Sequence, residues 1–74
     1  MPKQTDILKR IIEYLKKQNW PMTTGDVANG INVSWQTAQI NLYKLLSENK
    51  VKYRKVGRQN HWWLVKNYEK EFER

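Results

Sequence analysis

Cysteine is absent from this 74-residue chain. That removes a disulfide framework and any cysteine-based zinc site. The single histidine, His61, cannot hold a metal alone, so no cofactor is expected. Acidic residues are scarce: seven Asp and Glu, scattered along the chain, do not suggest paired acid–base chemistry. Ser34 has no neighbouring His or Asp in the pattern of an activated nucleophile. The three glycines form no phosphate-cradling loop. The chain therefore reads as non-enzymatic. No stretch approaches the ~18 apolar residues that span a bilayer, and nothing near Met1 resembles a signal peptide. The expectation is no membrane partner and a cytoplasmic location, nucleoid-associated if the source is prokaryotic.

What the chain does have is positive charge and large aromatic rings. Fourteen Lys and Arg against seven Asp and Glu give a net charge of +7. Residues 66–74 hold three bases (Lys66, Lys70, Arg74) and three acids (Glu69, Glu71, Glu73), so the excess lies in residues 1–65. A compact body so charged attracts polyanions. Four Trp, four Tyr and one Phe supply large buried areas to a chain near the lower size limit for a core without staples. One domain is expected over 1–74, with its core in 5–65 and a short helical tail in 66–74.

Periodicity divides the chain into helices followed by strands, an α+β class. Ile7, Leu8, Ile11, Ile12 and Leu15 recur at helical spacing, so a first helix capped by Thr5 or Asp6 is expected to reach about Asn19. Trp20-Pro21 ends it, because the residue before proline avoids the α region, and Trp20 is read as a structural plug. Thr23 or Thr24 caps a second helix from about Gly25 to Gly30, with Val27, Ala28 and Ile31 inward. Asn32 tolerates the left-handed conformation of a tight turn. Ser34 caps a third helix that runs to about Glu48, with Ala38, Leu42, Leu45 and Leu46 inward and Asn49 as its stop. The period then changes to two. Val51–Val56 and His61–Val65 read as strands joined by a loop over 57–60. Trp62 and Leu64 share the core face, with Trp63 on the other and His61 a half-buried strand residue. Asn67 caps a last short helix pairing Tyr68 with Phe72.

The stretch from Asp26 to Leu45 resembles the helix-turn-helix of winged-helix transcription regulators. The likeness rests on Ala28, on Ile31, Val33 and Ser34 at the turn, and on Thr37, Ala38, Leu42 and Leu45 beyond it. Asn32 stands where that family often has Gly. The segment from Asn49 to Leu64 looks like the wing of the ArsR and MarR groups, with a basic first strand, a Gly-Arg loop and an aromatic-rich second strand. The resemblance covers about residues 7–65 and implies a winged helix-turn-helix: a three-helix core, a two-stranded hairpin wing and a short C-terminal helix. It implies binding of double-stranded DNA, probed by the third helix in the major groove. The Cys or clustered His and carboxylates of metal-sensing relatives are missing, as are the long dimerisation helices of MarR-like proteins.

With Ala38, Leu42 and Leu45 inward, the opposite stripe of the third helix is Gln36, Gln39, Ile40 and Tyr43, flanked by Trp35. These five are the candidate base-reading residues. Gln pairs bidentately with adenine, and Ile40 can touch a thymine methyl. Ser34, Thr37 and the N–H groups at the helix start can hold a phosphate. Lys50, Lys52, Arg54, Lys55 and Arg58 form the densest basic run and are the candidate wing contacts to the backbone or minor groove. A sequence-specific transcription regulator is the leading reading, with homodimerisation through the first helix or the Tyr68–Phe72 tail as a way to enlarge its footprint. Two alternatives compete. One is a protein-interaction module, because this fold does not fix function. The other is a Z-form nucleic-acid binder. Gln39, Tyr43 and Trp62 fall near positions where that winged-helix family carries Asn, Tyr and Trp, but Gln replaces Asn and the wing has no proline.

Overall fold

The computed structural model describes residues 4–65. The order is α1 (Gln4–Lys16), β1 (Met22–Thr23), α2 (Thr24–Ile31), α3 (Trp35–Ser47), β2 (Val51–Val56) and β3 (Gln59–Leu64). The three strands form one antiparallel sheet in the order β1-β3-β2. This is an α+β winged-helix fold. The expected tail helix with Tyr68 and Phe72 lies outside the described residues.

Local chemistry sets the boundaries of the helices. Thr23 caps α2 through a reciprocal pair: its hydroxyl accepts from the Asp26 N–H at 3.0 Å, and its own N–H donates to Asp26 Oδ2 at 3.3 Å. Ser34 caps α3 by accepting from the Thr37 N–H at 3.1 Å. Both helices end on a left-handed asparagine, Asn32 at φ 60° and Asn49 at φ 62°. In each case two backbone bonds close the last turn: Val33 N–H to the Ala28 carbonyl and Asn32 N–H to Asn29 in α2, Lys50 N–H to Leu45 and Asn49 N–H to Leu46 in α3. That is the Schellman arrangement, with Asn in the place usually held by glycine. α1 stops at Lys16, three residues short of the expected Asn19. The Gln18 side chain donates to the Tyr14 carbonyl at 3.2 Å, and the chain then bends at Asn19 and Trp20 before Pro21.

The core gathers one face from every helix and the inner face of the sheet. Ile11 and Leu15 of α1, Val27, Ala28 and Ile31 of α2, Ala38, Leu42 and Leu45 of α3, and Val51, Trp62 and Leu64 of the sheet are all buried. α1 lies close on α2 because position 30 is glycine: a Cβ there would overlap the Tyr14 ring. The Arg10 guanidinium donates to the Ile31 carbonyl and so satisfies one of the acceptors left open at the end of α2.

Thr5 and Asp6, the expected caps of the first helix, lie inside α1, which begins at Gln4, and four further sequence expectations need correction. Trp20 is not a plug but 74% exposed, because the chain leaves the helical body before Pro21. The segment after Pro21 is not merely a connection. Met22 and Thr23 pair with Trp62 and His61 as a third strand, which a two-residue run cannot reveal by alternation. The hairpin loop is not 57–60 but a two-residue turn at Gly57–Arg58, so Gln59 and Asn60 belong to β3 and pair with Val56 and Lys55. Gly57 has φ +64° and is the turn's only left-handed residue, as in a type II′ turn. β3 ends at Leu64 rather than Val65.

Two buried polar side chains were not foreseen. Asn41 is buried within α3; its Nδ2 donates to the Thr37 carbonyl at 2.8 Å, and its Oδ1 meets no partner among the described residues. Thr24 is buried at the start of α2, and its hydroxyl accepts from the Trp62 indole N–H at 2.9 Å. This bond joins the sheet to α2 across 38 residues of chain. Thr24→Val keeps the shape but leaves the buried indole N–H without an acceptor. It should lower stability by about 1–3 kcal/mol in urea denaturation, with the slope unchanged.

Candidate nucleic-acid interface

From Trp35 to Tyr43, α3 presents an uncharged outer surface. Between Gln18 and Tyr43 the chain contains no Lys or Arg, so the helix-turn-helix itself contributes no positive charge before Lys44. Trp35 is 51% and Ile40 62% exposed, and Gln36 is exposed as well. The stripe expected from the sequence divides into two lines. Trp35 and Gln39 line an open groove between α3 and the wing, with Tyr43 one turn further along α3 and its hydroxyl at Asn60 of β3. Gln36 and Ile40 are not part of that groove.

The groove has a volume of about 450 Å³. Its other wall is the tip of the wing, with Lys55, Arg58, Gln59 and Asn60, and its floor includes Thr23, Thr24 and Gly25 at the start of α2. Two bases thus stand across from two large uncharged side chains of α3.

An aromatic stack fixes the width of this groove. Tyr43 of α3 meets Trp62 of β3 edge-on, with centroids 5.4 Å apart and planes at 85°. It meets Tyr53 of β2 edge-on as well, at 6.2 Å and 81°. Tyr53 lies over Trp62 at 4.9 Å. At the rim, the Asn60 side-chain amide donates to the Tyr43 hydroxyl at 3.3 Å. Sequence reading places Trp62 in the core but misses this stack; its trace is the i,i+9 pairing of Tyr53 with Trp62, which follows only from a two-residue turn.

Strand alternation separates the five bases of the wing. Val51, Tyr53 and Lys55 pair with Leu64, Trp62 and Asn60, and this is the face packed on the helices. Lys52 and Arg54 pair with Trp63 and His61, so they point to the opposite face. Lys50 lies at the base of the wing, where its ammonium pairs with Glu48 at 3.5 Å. Only Lys55 and Arg58 of the basic run therefore share the groove with α3.

At the start of α3 the hydroxyls of Ser34 and Thr37 are bonded to each other at 2.9 Å. Either hydroxyl can serve as the donor of this pair, which leaves one hydroxyl hydrogen at the start of α3 able to donate. The N–H groups of Trp35 and Gln36, which have no carbonyl four residues back within the helix, point the same way. Among the described residues, no three His, Asp or Glu side chains come together to hold a metal. No helix among them is long and apolar enough to cross a membrane.

Three helices, a left-handed turn between the second and third, and a hairpin packed beside the third define the class: a winged helix. Among solved structures of this fold, the viral Zalpha domain bound to left-handed Z-DNA superposes with a TM-score of 0.78 at 19% identity, covering 90% of this chain and 97% of that one. The Zalpha domain of PKZ from Carassius auratus, in complex with Z-DNA, gives 0.74 at 23% identity, over 82% and 95% of the two chains. A curated relative, the probable C4-dicarboxylate response regulator DctR of Priestia megaterium, is 36% identical over 63 residues. That match covers 80% of this chain but only 28% of DctR. No protein-family profile matches the chain.

The stack makes a direct statement about how the wing is held. Tyr43→Phe removes one exposed hydrogen bond and should change stability by less than about 0.5 kcal/mol. Tyr43→Ala removes two edge-on ring contacts, each worth roughly 0.5–1.5 kcal/mol. It should cost about 1–3 kcal/mol in denaturation followed by tryptophan fluorescence.

Proposed function

We propose that this chain binds duplex DNA in a sequence-specific manner as the DNA-contacting domain of a small transcription regulator, and that it is not an enzyme. The observation that carries the reading is the groove in which Trp35 and Gln39 of α3 face Lys55 and Arg58 of the wing. A helix that carries hydrogen-bonding but uncharged side chains contributes little nonspecific attraction, so its contacts serve discrimination among bases. The wing bases, which no acid on β2 or β3 neutralises, hold the phosphate backbone. On this reading Trp35, Gln36, Gln39, Ile40 and Tyr43 approach base edges and sugars, and Thr37 with the first N–H groups of α3 holds a phosphate. The kinship to the ArsR and MarR groups is part of the same proposal, supported by the basic β2 and the Gly57–Arg58 turn. A second copy that doubles the footprint is compatible with it.

A second reading has its own support. Tyr43 stands edge-on to Trp62 next to Gln39, and the Zalpha domains that share the fold were captured on Z-DNA. Wing and α3 could then hold the zigzag backbone of a left-handed duplex. Against this stand the absence of Lys and Arg from residues 18–43 and of proline from the wing.

Selection of bound sequences from random duplex DNA supplies the target, and two variants then separate the roles. Lys55→Ala with Arg58→Ala should weaken binding to all sequences alike and flatten the plot of log affinity against log salt by about one to two units. Gln39→Ala should lower preference at one or two base positions, by about 1–3 kcal/mol, and leave affinity for random duplex nearly intact. Loss on both DNAs would move Gln39 to the backbone, and no measurable affinity for any duplex would favour a protein-interaction module.

Circular dichroism of an alternating d(CG) duplex decides between the two nucleic-acid readings. The leading reading expects the right-handed spectrum to persist as protein is added. Inversion of the spectrum at stoichiometric protein would replace it with the Z-form reading.

A further inference from the structure

The groove between α3 and the wing holds about 450 Å³, the size of a small-molecule site. A duplex, whose major groove alone is about 12 Å across, can bring no more than one of its strands between such walls. A paired strand offers them sugar and phosphate, because its base faces are stacked and its Watson–Crick edges are spent on the partner strand. Lys55 and Arg58 answer that chemistry.

The rest of the lining answers a different one. Trp35 is half exposed, and its ring meets no other aromatic ring among the described residues. Gln39 stands one helical turn along the same wall, and Gln59 and Asn60 stand on the wing. The side-chain amides of Gln39 and Gln59 meet no partner among the described residues. The Asn60 amide donates one hydrogen to the Tyr43 hydroxyl and keeps its oxygen and second hydrogen. One indole ring and three carboxamides, each both donor and acceptor, are what a nucleobase needs: a surface for its face and partners for its edge. A sugar-phosphate strand uses neither the ring nor the paired donors and acceptors.

We propose that this groove seats one unpaired nucleotide turned out of the helix. Its base lies against Trp35, its edge meets the carboxamides of Gln39, Gln59 and Asn60, and its flanking phosphates rest on Lys55 and Arg58. The preferred target is then a duplex that carries an unpaired base, which has no pairing to lose on capture. This rests on the reading that the α3–wing groove faces DNA, and it names the kind of DNA.

The experiment measures fluorescence anisotropy of the full chain on three duplexes of one sequence: fully paired, with a single thymidine bulge, and with an abasic residue at the bulge. The wild type should bind the thymidine bulge about fivefold or more tighter than the paired duplex. The abasic bulge keeps the phosphates and the bend but lacks the base, and should lose that preference. Trp35→Ala should abolish the preference and Trp35→Phe, which keeps a ring, should retain most of it, with folding of both checked by circular dichroism. Lys55→Ala with Arg58→Ala should weaken binding to all three duplexes alike.

Equal affinity of the wild type for the three duplexes would overturn the unpaired base and leave the groove reading standing. A preference shared by the abasic bulge, or kept by Trp35→Ala, would trace it to the bent backbone and overturn the proposal as well. Displacement of the bulged duplex by an equimolar amount of free thymidine monophosphate would assign the groove to a free nucleotide instead. Absence of binding to any of the three would overturn this proposal together with the reading on which it rests.

Discussion

The position of the wing depends on Trp62. Its side chain is fully buried, its indole N–H is satisfied by Thr24 at the start of α2, and its ring is met by Tyr43 from α3 and Tyr53 from β2. Three elements thus converge on one side chain of a fourth. A two-stranded hairpin on its own is marginal in water. Here it is fixed by the indole, by the two residues of β1 that pair along β3, and by Val51 and Leu64 beneath. Everything that can act in the groove, from Gln39 on one wall to Arg58 on the other, takes its place from that anchor.

The same arrangement separates attraction from discrimination. Positive charge is concentrated in α1 and the wing, whereas residues 18–43 carry none. A ligand drawn by the wing meets a helix of Gln, Trp, Ile and Tyr whose contacts are short-ranged and shape-dependent. Electrostatic capture followed by close-range fitting is a division of labour that the linear sequence contains but that only the fold makes spatial.

Much of the fold was legible because its boundaries are made by local chemistry. Thr23, Ser34, Asn32 and Asn49 each act on backbone groups within six residues, so their roles could be read without tertiary knowledge. The apolar stripes of α2 and α3 were likewise visible as periodicity. What escaped depends on partners distant in sequence. β1 is too short to alternate and exists because β3 offers it a ladder. Thr24 looked like a second capping candidate, and its burial follows from an indole 38 residues away. Trp20 stands exposed just before Pro21, and no periodicity marks that exposure. Five bases crowd nine positions of the wing, and the two-residue period divides Lys52 and Arg54 from Lys55. The candidate site was legible on α3, where helical spacing sorts the faces, and less so on the wing, where the length of the turn had to be known.

The turn at Gly57–Arg58 has a consequence for how this domain can evolve. With only two residues joining β2 to β3, the register of the hairpin is locked to the turn, and a shift of one residue would exchange every inward side chain of a strand for an outward one. Trp62 would then leave the core and His61 or Trp63 would have to replace it. Lengthening by two residues in each strand keeps a hydrogen-bonded pair next to the turn and leaves every side chain beyond the insertion on its original face. The wing is therefore free to grow or shrink by two residues per strand at a time, while single insertions are confined to forms that absorb them as a bulge. Descendants of this sequence can change the reach of the wing readily, but not the allocation of its bases between the two faces.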